Sequence, residues 1–308
     1  MKHKRKIFIL GGVLFIFCAI ALFFKLRSPV LLVTDEPFIL LYGKRRTQIQ
    51  QVRASFALGR RVQQVIVADT AGSDLLVLAL EEAAARPWCA VFPHRYGDAA
   101  RRYHEQFPEI NTILLSGRAG PLNQQNPQIP DDEQLFFDFS TDEPLDAYRA
   151  GRFALIFCGE ENGNVPVFMK RNDQFLGKDA FLNGFSYTET EAQPRFYETF
   201  SQLTLNEEFP VAVIAGSGYE YLDKNPLSPV ILYTWLDPAF TSREIQVIMD
   251  DSVWAQLPDA VKLVKQGQKT GQIPSRPLIF SRRIADNGVL QDLKKAARSG
   301  MEQNPDEP

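Results

Sequence analysis

The chain has 308 residues, with 34 Lys and Arg against 37 Asp and Glu, and only three cysteines. This length exceeds what one small core needs and suits two lobes, while three cysteines exclude a disulfide framework. Residues 1–28 hold six basic and no acidic residues, which leaves 28 basic against 37 acidic residues and a formal charge of −9. That balance argues against nucleic acid or an anionic membrane surface as a partner.

The N-terminus is predicted to be a membrane anchor. A basic tail, MKHKRK, precedes 18 uncharged residues from Ile7 to Phe24, which is at the lower edge of what spans a bilayer. The basic residues before this run outnumber those after it, so the positive-inside rule places the tail in the cytoplasm. We therefore expect residues 1–28 to form a tail and a single-pass anchor, with the globular part on the periplasmic side of the cell membrane.

Two processing events compete with an uncleaved anchor. Ala19-Ile20-Ala21 matches a signal-peptidase site, but the apolar run continues past it to Phe24. Cys18 suits lipidation, but Phe17 stands where a small residue is expected. An uncleaved anchor is favoured, and the protein is exported in all three cases.

Residues 29–142 alternate between apolar runs and helical patterns, and we assign them to an N-terminal lobe. Strands are predicted at 29–38, 62–70, 89–92, 111–118 and 135–139, and helices at 45–58, 73–85 and 98–107. Residues 119–134 form a loop rich in Pro, Gln and Asn. In the first helix, Ile49, Val52 and Phe56 share one face. This alternation indicates parallel βαβ units.

The stretch from Leu135 to Cys158 is predicted to be the hinge between the lobes. An apolar strand is followed by Ser140 to Pro144, which has the capping residues, acids and proline of a helix start. The helix after it contains small residues at Ala147, Ala150, Gly151 and Ala154. Small residues permit close packing against a sheet, and close backbone packing is expected at Gly151.

The same pattern repeats after the hinge. Residues 143–243 form the predicted C-terminal lobe, and 244–300 a return crossing with elements shared by both lobes. Strands are predicted at 163–170, 209–218, 230–240, 244–251 and 277–280, and helices at 172–185, 254–267 and 288–298. The predicted fold is therefore α/β, with two Rossmann-like lobes of parallel sheet.

Motifs of catalytic and metal sites do not occur in the sequence. It has no GxxxxGK[ST], no GxGxxG after a strand, no GxSxG, no CxxC and no HExxH. His94 and His104 have no cluster of further ligands around them in the sequence. Cys89 and Cys158 lie in apolar runs and are expected to be buried free thiols. A binding protein without cofactor or metal is favoured over an enzyme.

Polar residues gather at the predicted carboxyl ends of the strands, where open parallel sheets bind ligands. The candidate ligand-binding residues are Asp35, Phe38, Asp69, Thr70, His94, Ser116, Asp138, Gly216, Ser217, Trp235 and Asp237. Carboxylates and hydroxyls accept hydrogen bonds from sugar hydroxyls or amines, and the two aromatic rings can stack on a flat ligand. Loops are polar in any protein, so the prediction depends on the whole set.

Several segments resemble type I periplasmic binding proteins. The YRAGR segment resembles their inter-lobe crossing. The segments VPVFMKRNDQFLGKDAFLNGF, VAVIAGSG, VILYTWLD and EIQVIMDDSVWAQLPDAVKLVKQGQ resemble the basic membrane protein family among them, and the similarity covers residues 29–283. The resemblance implies a two-lobe receptor that closes its cleft on a nucleoside or sugar-like solute, for an ABC-type uptake system or for sensing, with a membrane permease as partner.

One departure from that family keeps a second function open. Its nucleoside binders have an Asp/Gly/Asn-rich loop after the first strand, where this chain has DEPFILLYG. A structural or sensory envelope module that has the fold but no ligand is therefore the alternative, and an exported α/β enzyme is the third hypothesis.

Overall fold

A computed structural model describes residues 25–69, 71–84, 86–118, 135–159, 164–169, 177–186, 192–203, 209–215, 217–224, 229–233 and 245–298, with backbone alone at 116–118. The predicted anchor, Ile7 to Phe24, lies outside these ranges. Across the ranges described, no helix has the length and apolarity needed to cross a membrane.

Twelve strands and nine helices occur in the described ranges. The strands are β1 Val30–Asp35, β2 Val62–Val67, β3 Cys89–Pro93, β4 Asn111–Arg118, β5 Phe136–Thr141, β6 Asn164–Met169, β7 Gln193–Tyr197, β8 Ala212–Ala215, β9 Val230–Leu232, β10 Ile245–Asp250, β11 Thr270–Ile273 and β12 Arg276–Ile279. The helices are α1 Glu36–Tyr42, α2 Lys44–Leu58, α3 Ser73–Ala83, α4 Gly97–Gln106, α5 Glu143–Cys158, α6 Lys178–Phe185, α7 Tyr221–Lys224, α8 Val253–Lys265 and α9 Asn287–Ala296.

The chain divides into two compact units, each built from several segments. Unit 1 comprises Met1–Leu115, Ile129–Asp138 and Leu257–Thr270. Unit 2 comprises Ser116–Gln128, Phe139–Gln256 and Gly271–Pro308. The lobe boundary predicted after residue 142 lies four residues beyond the division at 138, and the predicted return crossing contains the segment that rejoins unit 1.

The first sheet has the order β11-β5-β4-β3-β1-β2, and its pairs from β2 to β4 are parallel. β1 lies between two strands and is buried along its whole length. Its inward residues pack with α3 and α4 in one core, which includes Leu31, Val33, Leu76, Leu80, Phe92 and Tyr103. The second strand of the chain, β2, lies at the edge.

The second sheet has the order β12-β10-β9-β8-β6-β7. The pairs from β7 to β10 are parallel, whereas β12 runs antiparallel to β10. The core of unit 2 includes residues of α5, α6 and α9, among them Phe153, Phe181 and Leu293. Two parallel-sheet units confirm the predicted α/β class.

The helix predicted after the strand 135–139 is confirmed, together with its capped start. Asp142 caps α5, because its carboxylate accepts a hydrogen bond of 3.1 Å from the amide of Leu145, and a proline lies in the first turn. A side chain on Gly151 would clash with the backbone carbonyl of Phe181 on α6, and one on Gly184 would clash with that of Tyr148. The two glycines therefore allow α5 and α6 to meet backbone to backbone, whereas the small residues were expected to permit packing on a sheet.

Three predicted features differ in the structure. The predicted strand 29–38 ends at Asp35, and the residues after it form α1, because Asp35 caps a helix with a proline in its first turn. Two strands, β7 and β11, were not predicted; both lie at sheet edges, and of their nine residues only Ile273 is buried. The apolar face of α2 (Ile49, Val52 and Phe56) is exposed rather than buried in the core.

Both described cysteines are buried and free, which confirms the predicted thiol state. Cys89 lies in β3 of unit 1 and Cys158 ends α5 in unit 2. Burial raises the pKa of the Cys89 thiol far above its usual range, and the positive charges of Arg60 and Lys265 offset only part of that effect. Cys89 is therefore an inert core residue at neutral pH.

Candidate functional site

The carboxyl ends of β1, β2 and β3 bring three charged residues together in unit 1. These strands are neighbours in the sheet, with β1 in the centre. Asp35 is the last residue of β1, Asp69 follows β2 by two residues, and Arg95 follows β3 by two residues in a short turn from His94 to Tyr96. Because parallel strands end at the same edge, residues 26 to 60 positions apart in the chain become neighbours.

Arg95 is the centre of this cluster. Its guanidinium forms an ion pair with the Asp35 carboxylate and a second one, of 3.0 Å, with Asp69. It also donates a hydrogen bond of 2.7 Å to the Tyr96 hydroxyl, which in turn donates to Asp35 over 3.4 Å. The guanidinium carbon lies 4.8 Å from the centre of the Tyr96 ring. These four residues, the Arg95 cluster, form one connected network.

Burial differs sharply within the Arg95 cluster. Asp35 is only 4% exposed, and its other carboxylate oxygen accepts a hydrogen bond of 2.8 Å from the amide of Phe38. The side chains of Arg95 and Asp69 are 44% and 59% exposed. Asp35 is thus held inside the protein, whereas Arg95 and Asp69 face solvent and remain able to meet a ligand.

The electrostatics favour a charged network. Burial alone lowers the pKa of Arg95, but its hydrogen bond to Tyr96 and the nearby charge of Asp35 outweigh burial and raise the pKa above its usual value. Burial raises the pKa of Tyr96 as well. Arg95 is therefore cationic and Tyr96 neutral at physiological pH.

A depression of about 300 Å³ opens beside the Arg95 cluster. Its lining includes Asp69, Ser73, Arg95, Tyr96 and Asp98. Ser73 is the first residue of α3, and Asp98 lies in the first turn of α4. The lining offers carboxylates as acceptors, a guanidinium as donor and hydroxyls that do both, which is the chemistry that hydroxyl-rich ligands require.

Other predicted residues of unit 1 lie in different settings. His94 is exposed in the turn that carries Arg95. Phe38 is only 9% exposed and stacks on Tyr42, with ring centres 5.3 Å apart. Asp138 lies half-buried within β5, where burial raises its pKa to about 6 and the charge of Arg101 opposes that rise.

The remaining predicted residues are described in part or not at all. β4 contains Ser116, whose side chain is outside the described set. Ser217 follows β8 by two residues. Four predicted residues lie outside the described ranges: Thr70, Gly216, Trp235 and Asp237.

Unit 2 has polar groups of its own at the carboxyl ends of its strands. Asp250 ends β10, is buried, and accepts a hydrogen bond of 3.1 Å from the amide of Ser252. Trp254 follows in the first turn of α8, is 3% exposed, and its indole nitrogen finds no hydrogen-bond partner within the described residues. The buried hydroxyl of Ser217 likewise finds none there. Buried polar groups in this state are candidates for binding a polar ligand.

Four of these residues, Arg95, Tyr96, Asp250 and Trp254, were absent from the predicted site. Arg95 carried a usable signal, because it follows one predicted strand end and can pair with the carboxylates Asp35 and Asp69 at two others. Trp254 carried none, since its apolar neighbours suggest a core residue. The described part of the chain contains no group of three or more His, Cys, Asp or Glu residues suited to a metal.

Comparisons with known proteins identify the fold. No protein-family model matches the chain, and no curated protein matches it. An ABC transporter system solute-binding protein from Conexibacter woesei superposes with a TM-score of 0.57 at 11% identity, covering 88% of this chain and 95% of that one. A chain of a mutant XylFII–LytSN complex superposes with a TM-score of 0.51 at 11% identity, covering 84% and 99%. This protein therefore shares the two-unit α/β fold of solute-binding proteins of ABC transporters.

Proposed function

We propose that this protein is an extracytoplasmic solute-binding protein that takes a small polar, hydroxyl-rich ligand. The observation that carries this proposal is the depression beside the Arg95 cluster, at the sheet edge where parallel α/β proteins bind ligands. Arg95 and Asp69 supply an exposed donor and an exposed acceptor side by side. A sugar hydroxyl donates and accepts at once, so it can hydrogen-bond to both.

The charge of the site narrows the ligand class. Arg95 supplies one positive charge, whereas Asp35 and Asp69 supply two negative charges, and Asp98 adds another to the lining. An anionic ligand would meet net negative charge there. A neutral sugar or nucleoside is favoured.

The biological setting belongs to the same proposal. Under it, the apolar run from Ile7 to Phe24 anchors the protein in the cell membrane, and the solute passes to an ABC-type permease or is sensed. The narrower resemblance to the basic membrane protein family supports a nucleoside, and the shared fold of ABC transporter solute-binding proteins supports solute binding in general.

The test is a melting screen of the full chain against monosaccharides and nucleosides, followed by calorimetric titration of any ligand found. A ligand at 100 times its Kd should add about 2.7 kcal/mol to the free energy of unfolding. Arg95→Ala should weaken binding at least about tenfold, because a charge-assisted hydrogen bond contributes roughly 1.5–3 kcal/mol.

Arg102→Ala is the matched control for that variant. Arg102 is an exposed arginine of the same unit and pairs with Asp74 outside the cluster, so its loss should leave the affinity unchanged. Equal affinity of the Arg95 variant and the wild type would show that the site lies elsewhere.

A ligand-free structural or sensory module is the second candidate. The observation that favours it is that Arg95 already pairs with two carboxylates, so the cluster is satisfied without a ligand. In that case no compound of the screen raises the melting temperature, and turnover of a compound would instead indicate an enzyme.

A further inference from the structure

The outward face of α2 carries an apolar stripe. The side chains of Ile49, Val52 and Phe56 are 45%, 55% and 61% exposed. Their spacing of three and four residues places them on one side of the helix. The opposite side is formed by the buried residues Thr47, Ala54 and Leu58. Large apolar side chains grouped on a surface mark an interaction site.

The segment around this stripe is strongly basic. Between Glu36 and Asp69 the sequence has no acidic residue, but it has six basic ones: Lys44, Arg45, Arg46, Arg53, Arg60 and Arg61. Arg45 and Arg53 are exposed and lie four residues before and after Ile49, so they flank the stripe. Neither belongs to an ion pair within the described ranges. The face of α2 is thus apolar at its centre and cationic on its flanks.

The N-terminal segment of the chain reaches unit 1 beside this helix. The guanidinium of Arg27 donates a hydrogen bond of 3.2 Å to the carbonyl of Gly59, which ends α2. The guanidinium of Arg60 donates one of 3.1 Å to the carbonyl of Ser28. The uncharged run from Ile7 ends one residue before Lys25, where the described chain begins. Under the proposed membrane anchor, on which this inference rests, the bilayer lies only a few residues along the chain from the contact with α2.

We propose that the exposed face of α2 docks onto an anionic lipid surface. Ile49, Val52 and Phe56 enter the boundary between headgroups and acyl chains, and Arg45 and Arg53 bind lipid phosphates. Arginine side chains are attracted to anionic headgroups, and apolar side chains beside them can enter the boundary with the acyl chains. This docking does not depend on the proposed solute.

Two physical arguments favour lipid over other occupants. In a twofold contact between two copies of this chain, the same face meets itself and like charges come together. The formal charge of −9 argues against an anionic membrane as a partner of the exported part as a whole, but around α2 salt screens charges that lie beyond about 8 Å. The local charge of α2 therefore decides what it meets.

The experiment uses the full chain in nanodiscs of phosphatidylglycerol, in nanodiscs of phosphatidylcholine, and in detergent. Hydroxyl-radical labelling of Phe56 reports whether its ring is covered. We expect labelling to fall at least about fivefold in phosphatidylglycerol relative to phosphatidylcholine, because each cation near an anionic surface contributes about fivefold to binding. Leu75 on α3, which is 65% exposed, is the internal control and should keep its labelling.

A charge variant tests the role of the arginines. Arg45→Gln combined with Arg53→Gln should return the labelling of Phe56 in phosphatidylglycerol to the level seen in phosphatidylcholine. Lys294→Gln combined with Lys295→Gln removes the same charge from the exposed side of α9 and should leave Phe56 protected.

The outcomes separate lipid from a second copy. Equal labelling of Phe56 in both nanodiscs, or failure of the chain to associate with either, overturns the proposal. Protection that arises in detergent and grows with protein concentration identifies a second copy and overturns it as well. The comparison of the two lipids uses the wild-type chain, so it decides the question even where a variant misfolds.

Discussion

At the scale of single residues, the half-buried carboxyl of Asp138 makes the stability of the protein depend on pH. Burial raises its pKa from 3.8 to about 6, so the folded state binds the proton more tightly than the unfolded state does. Stability contributed by this group therefore falls as the pH rises from about 4 to 6, and the full cost is present above pH 6. After discounting for partial exposure, that cost is on the order of 1–2 kcal/mol.

Asp138→Asn should remove this cost. We expect the variant to be more stable than the wild type at pH 8 and equally stable near pH 4, as measured by urea unfolding across that range. Asp292→Asn, at an exposed position of α9, serves as the control for the substitution itself. A constant difference between Asp138→Asn and the wild type at all pH values would contradict the assignment.

The pairing of Asp35 with Arg95 is the part of the candidate site that the sequence did not predict. The predicted strand ends made Asp35 and Asp69 candidates for the site, because ligand sites of parallel sheets lie there. Only the structure shows that Asp35 is used internally. Arg95, which pairs with it, is 60 positions away in the chain, and the helix that it caps begins in residues that were predicted as the end of a strand. Pairing across such distances depends on strand order, which no local pattern contains.

At the scale of elements, the contact between α5 and α6 should be sensitive to single methyl groups. Gly151→Ala places a side chain against the backbone of Phe181, and we expect a loss of about 1–3 kcal/mol of stability from overpacking, with a larger loss for Gly151→Leu. Thermal melting measures both.

Gly97 is the matched control for that substitution. It also lies in a helix, α4, but a side chain there would meet its nearest atom, on Leu114, only at 3.8 Å. Gly97→Ala should therefore be neutral or stabilise by up to about 1 kcal/mol. Equal changes in melting temperature for the two alanine variants would show that α5 and α6 do not meet in this close contact.

Element prediction succeeded where burial was strong and failed where it was weak. The stripe of α8, formed by Leu257, Val261 and Val264, is buried as its spacing predicts. Strands β7 and β11 were missed, because edge strands pair through the backbone and need no apolar run. On α2, apolar spacing identified the helix correctly but not which face is buried, since Ala54 and Leu58 fill that role.

At the scale of the whole molecule, unit 1 combines segments that lie far apart in the sequence. Unit 1 includes residues 257–270, which follow its preceding segment in the sequence by more than a hundred positions. Within it, the Lys265 ammonium lies 5.8 Å from the centre of the Trp88 ring. Leu257, Val261 and Val264 belong to this segment of unit 1 and are at most 7% exposed. A lobe defined by consecutive residues is therefore incomplete.

The last prediction follows from this arrangement. Burial of three such side chains contributes roughly 5–9 kcal/mol, which matches the whole free energy of unfolding of a typical domain, about 5–15 kcal/mol. A fragment of residues 25–142 should therefore fail to fold cooperatively, as judged by circular dichroism and urea unfolding. The same fragment with residues 257–273 joined through a flexible Gly/Ser linker should regain a cooperative transition, because α8 and β11 are then supplied at high effective concentration. Cooperative unfolding of the shorter fragment would show that unit 1 is stable without them.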